Sequence, residues 1–99
     1  MKFDFTSELW VYGGTASWYF ITLPKDISDD IKALTKDQRN GFGSVKVSVS
    51  IGNAAWKTSI FPDSKSGCYI LPVKKDIRTL CNLNDGDSAS VSVNVLELL

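Results

Sequence analysis

From Phe3 to Val11 the odd positions Phe3, Phe5, Leu9 and Val11 are apolar, with Ser7 as the exception, while Lys2, Asp4, Thr6 and Glu8 occupy the other face. A period of two is the spacing of a strand that buries one side. Gly13-Gly14 then supplies the positive backbone angles of a tight turn. Ser17 to Leu23 is rich in aromatic and β-branched residues, so the first two strands are expected to form a hairpin. Pro24 ends the second strand, and beyond it Ile27, Ile31 and Leu34 recur at helical spacing. Ser28 is the candidate N-cap of that helix, with Asp29 and Asp30 near the positive end of its dipole. Val45, Val47, Val49 and Ile51 alternate with Lys46, Ser48 and Ser50, a half-buried strand closed by Gly52-Asn53.

The order then starts again. Ala54 to Phe61 reads as a strand, Pro62 to Gly67 as a loop, and Tyr69 to Leu71 as a strand running into Pro72. A second helix follows, with Ile77, Leu80 and Cys81 as its apolar side. Asn84-Asp85-Gly86-Asp87 makes a turn, and Ala89, Val91, Val93 and Val95 alternate with serines and Asn94 in a last strand. Leu23-Pro24 laid over Leu71-Pro72 offsets the halves by 48 residues (72 − 24). The expectation is a single domain over residues 1–99, with pseudo-repeats at roughly 1–52 and 53–99. Its fold class is mainly β with two short helices. Six alternating strands favour a barrel of two ββαβ halves, because closure removes exposed strand edges.

Composition narrows the partners. At 99 residues one core is expected, burying about two-thirds of the unfolded surface. The 43% hydrophobic and 22% charged fractions are those of an ordinary globular domain. Eleven basic and eleven acidic side chains cancel, so no net field steers the molecule towards nucleic acid or an anionic membrane. The first twelve residues carry Asp4 and Glu8 and do not resemble a secretory signal, and no stretch is long enough to span a bilayer. With only Cys68 and Cys81, and no Cys-x-x-Cys, the expected compartment is the cytoplasm. Cys81, beside Leu80, reads as a small buried hydrophobe.

There is no histidine, which removes the commonest neutral-pH general base and the commonest metal ligand together. No cofactor is implied. Asp29/Asp30 and Asp85/Asp87 read as helix-start and turn residues rather than as a catalytic pair. Gly41-Phe42-Gly43 lacks the spacing of either phosphate-loop motif. Arg39 beside it is a candidate for bidentate binding of a carboxylate or phosphate, or for a helix C-cap or local ion pair. Of three tryptophans, Trp18 and Trp56 are expected in the core, whereas Trp10, on the polar face of its strand, divides evenly between core and binding platform. Lys57 adjoins Trp56 and points to the opposite face. Lys74, Lys75 and Arg78 form the densest basic group, with Lys74 and Arg78 four apart on one helical face. Cations at the positive end of a helix are locally unfavourable, which points to an anionic ligand or acidic partner there.

These residues carry a resemblance. Arg39-Asn-Gly-Phe-Gly-Ser44, the alternation Val45 to Ile51 with Gly52, Trp56-Lys-Thr-Ser-Ile-Phe-Pro62, Tyr69-x-Leu71-Pro72-Val73-Lys74, Ile77-Arg78 and Gly86-Asp87 resemble the family known as domain of unknown function 1905, and Trp18 to Pro24 fits its Trp-to-Leu-Pro strand. The resemblance implies a small split β-barrel and no established activity. The second half is also similar to the strand-helix-strand unit of AbrB-type transcription factors, which build one barrel from two chains. A chain with both halves would then close a barrel alone, as a monomer, although the acidic residues Asp26, Asp29 and Asp30 depart from a basic DNA-binding surface. The leading expectation is a non-enzymatic binding module for an anionic small molecule or an acidic protein, with Arg39, Lys74, Arg78, Trp10 and Lys57 as its binding residues. AbrB-like nucleic-acid binding is the second reading, and an enzyme acting through Cys68, a lysine or an aspartate the third.

Overall fold

The structure, a computed structural model, describes residues 1–13, 18–36 and 43–96. It contains β1 (Lys2–Val11), β2 (Tyr19–Thr22), α1 (Lys25–Thr35), β3 (Val45–Ile51), β4 (Ala54–Asp63), β5 (Cys68–Pro72), α2 (Lys75–Cys81) and β6 (Ser88–Val95). The six strands close into an antiparallel barrel in the order β1-β2-β5-β4-β3-β6. Each half supplies ββαβ, and the neighbour relations are unchanged when β1, β2 and β3 exchange places with β4, β5 and β6. β4 runs through Pro62 to Asp63, beyond its expected end. The Asp63 carboxylate then accepts from the backbone N–H groups of Lys65 and Ser66 and from the Ser66 hydroxyl, which folds the chain back towards Cys68.

Alternation accounts for the core. Leu9 lies opposite Ile21 and Ile21 opposite Leu71, and all three are fully buried. On the other side of the barrel Phe3, Val93, Val49 and Trp56 form one inward rung across β1, β6, β3 and β4. The β3–β4 hairpin turns on two residues, with Gly52 at φ +56°, an angle that costs glycine nothing. Ser7, the exception in the first strand, faces inward and donates to the Thr22 carbonyl at 2.8 Å, where β1 changes neighbour from β6 to β2.

Several expectations are corrected. Ser28 is not an N-cap. Helix α1 starts at Lys25, after Pro24, with no side-chain cap. Ser28 is buried one turn inside, and its Oγ accepts from the Tyr69 N–H at 3.0 Å and donates to the Leu23 carbonyl at 3.4 Å. Leu23 N–H already donates to the Tyr69 carbonyl, so the serine hydroxyl replaces the return bond of this rung where Pro24 turns the chain away. Ile31 and Thr35 complete the buried side of α1, with Leu34 exposed. In α2 Leu80 is 67% exposed, because Ile77, Cys81 and Leu83 take the inward positions. Cys81 is half-buried, its Sγ 3.6 Å from the Ile51 carbonyl. Asn82, left-handed at φ 53°, ends α2, and Leu83 N–H donates to the Arg78 carbonyl. Among the described residues no helix is long and apolar enough to cross a membrane.

Candidate functional site

Apart from Thr22, strand β2 and its flanks carry large apolar or aromatic side chains on both faces. Ile21 and Leu23 fill the barrel, so Trp18 and Phe20 project outward, and the register sets Phe20 between Trp10 of β1 and Pro72 of β5. The next outward rung carries Thr22, Ile70 and Phe61. An outer sheet face would ordinarily be polar; this one is an aromatic wall. The Trp10 and Phe20 ring centroids are 5.2 Å apart, Tyr12 meets Phe20 edge-on at 6.2 Å, and Trp18 lies within 9° of parallel to Phe20 at 6.5 Å. Trp18 is 59% exposed, against its expected place in the core, because it precedes the paired part of β2 on the outward phase. Trp56 is half-buried against the core. Trp10 is held half-buried by its indole N–H, which donates to Thr22 Oγ1 at 2.9 Å.

Between this wall and β4 lies a groove of about 500 Å³, lined chiefly by Trp18, Phe20, Phe61, Ile70, Pro72 and Lys74. Among the described residues Lys74 is the one charged side chain lining it. Its ammonium makes no hydrogen bond or ion pair with them. Lys74 is not on a helical face with Arg78, since the backbone is still extended at Lys74 (φ −71°, ψ 160°) and α2 begins at Lys75. Arg78 instead folds back. Its guanidinium carbon sits 3.7 Å over the Tyr19 ring centroid, and Nη1 donates to the Val73 carbonyl at 3.2 Å. It borders a separate, polar depression of about 350 Å³ that includes Lys75 and Asp85, and Tyr19 contributes to both hollows.

The remaining candidates lie elsewhere. Lys57 lines a hollow of about 490 Å³ on the other side of the barrel, where Lys2, Asn94, Ser48 and Lys57 form one outward rung. Arg39 lies outside the described residues. Cys68 is half-buried beside a smaller hollow shared with Ser28 and Lys32, and its thiol donates to the Ser66 carbonyl at 3.6 Å. Several carboxylates have local work: Asp87 accepts from the Asn84 N–H, Asp4 from the Ser92 hydroxyl, and Asp29 pairs with Lys25. That hydrogen bond from Lys25 to Asp29 raises the ammonium above the usual lysine range, on an exposed helical surface. Among the described residues no cluster of three Cys, Asp or Glu side chains is placed to hold a metal ion.

Sequence reasoning missed Phe61, Ile70 and Phe20 as site residues. The available signal was β2 itself, since a strand that is apolar on both phases in a small barrel must show one set to the outside.

No curated protein matches the chain. The family model for a domain of unknown function, DUF1905, matches residues 5–93, a span that runs from β1 into β6 and includes the whole aromatic wall. The chain therefore belongs to the DUF1905 family.

Proposed function

We propose that this chain is a non-enzymatic binding module that takes a small, mainly apolar ligand in the groove between Trp18 and Phe61. The outward aromatic wall, with Trp18 59% exposed above a 500 Å³ groove, is the observation that carries this reading. Large rings are costly to leave in water, at roughly 25 cal/mol per Å² of apolar surface, and a ligand covering them recovers that energy. The volume falls within the usual range of about 300–1,000 Å³ for small-molecule sites. The local roles of Asp4, Asp29, Asp63 and Asp87 support a non-enzymatic reading, and barrel closure within one chain supports a monomer. A single cation among the described lining residues favours a small ligand over nucleic acid, whose binding rests on neutralising several phosphates.

The experiment is a thermal-shift screen of aromatic small molecules, because a ligand selective for the native state raises its stability. Hits are expected to raise the Tm of the natural protein and to lose that effect in Trp18→Ala and Phe61→Ala. Both side chains are exposed, so the unliganded Tm of these variants stays near the parent value. Absence of any hit in a broad aromatic set, or hits unaffected by both substitutions, would remove the proposal.

A further inference from the structure

We infer that the ligand of the Trp18–Phe61 groove is an organic anion, an aromatic body carrying a carboxylate-type group that is received by Lys74. This rests on the groove being a ligand site and specifies the ligand's class. Trp18, Phe20, Phe61, Ile70 and Pro72 offer contact without charge, and Lys74 adds a positive charge, with no acidic residue among the described residues that line the groove. The Lys74 ammonium has no partner among the described residues, so a ligand anion displaces no ion pair between Lys74 and any of them. Arg78 is fixed against the Tyr19 ring and belongs to the neighbouring hollow, so Lys74 is the cation that meets a ligand in the groove. A cationic ligand would be repelled by this charge, and a neutral one would gain nothing from it. The Lys74 donors are flexible and present a point charge, which suits a carboxylate on ligands of varied length better than a fixed bidentate fork.

The test compares 2-naphthoate with the neutral 2-naphthamide, their binding followed by quenching of tryptophan fluorescence. The natural protein is expected to bind the anion about three- to tenfold more tightly, the gain of an ion pair at a partly solvated rim. The preference should shrink as salt is raised. Lys74→Met keeps an unbranched stem, and should bind both compounds alike at the affinity of the amide. Lys75→Met, which changes a residue of the neighbouring hollow, should keep the preference. Equal binding of both compounds by the natural protein, or a preference that survives Lys74→Met, would overturn the anion inference and leave the apolar groove standing. Failure of both compounds to bind would overturn the inference and count against the groove as well.

Discussion

Replacing Ser28 with alanine removes a hydroxyl that serves as acceptor for one backbone group and donor to another. Tyr69 N–H reaches Ser28 Oγ at 3.0 Å, and Oγ reaches the Leu23 carbonyl at 3.4 Å, in a site where Ser28 is 2% and Tyr69 3% exposed. Alanine offers no acceptor, and water has little access. A buried amide left without a partner costs about 1–3 kcal/mol. The lower end applies if Leu23 and Tyr69 draw together to form the missing ladder bond directly. For a domain of this size each kcal/mol moves Tm by about 4–8 °C, so Ser28→Ala should lower it by about 5–20 °C. Hydrogen exchange separates this from loss of a helix cap. The inserted-hydroxyl geometry predicts that the Tyr69 amide loses protection first, whereas a cap at Ser28 would expose the amides two and three residues later, at Asp30 and Ile31. An unchanged Tm together with an unchanged Tyr69 amide would refute the reasoning.

Substitutions at four further positions probe other joints. Arg78→Met should cost about 1–2 kcal/mol in urea denaturation, from the lost cation–π contact with Tyr19 and the charged hydrogen bond to the Val73 carbonyl, and Arg78→Lys should restore only part of it. Gly43→Ala should destabilise by about 1–2 kcal/mol, since Gly43 holds φ +75° and an added Cβ would meet Pro62 Cγ at 3.3 Å. Leu80→Gln should change stability by no more than about 0.5 kcal/mol because Leu80 is 67% exposed, while Leu71→Ala in the sealed core should cost about 2–5 kcal/mol by the same measurement.

Much of the fold was legible in the chain because a strand with one dry face writes itself as alternation. Val45 to Ile51 and Ala89 to Val95 show this clearly, and both occupy the expected positions. The Gly52-Asn53 turn was legible for a similar reason, since few residues other than glycine accept its backbone angle. Short helices were harder. Helix α2 has seven residues, so a phase error of one residue separates the inward Cys81 from the exposed Leu80. Ser28 misled because a serine at a helix start ordinarily caps it, and only the pairing of Leu23 with Tyr69, 46 residues apart (69 − 23), creates the vacancy that it fills. The site was least legible. Lys74 and Arg78 stand four apart in sequence, yet the extended backbone at Lys74 sends one to the groove and leaves the other on Tyr19. The groove and its aromatic wall are assembled from β1, β2, β4 and β5, so their continuity depends on register across strands rather than on any local motif.

The most direct measurement of the central claim is a two-dimensional NMR titration with 2-naphthoate. The Trp18 indole, the Phe61 ring and the Ile70 methyl groups should shift together and saturably, while Trp56 and Lys57, which line the hollow across the barrel, stay in place. Shifts confined to the Trp56 and Lys57 side, or none anywhere up to the solubility of the compound, would contradict the account.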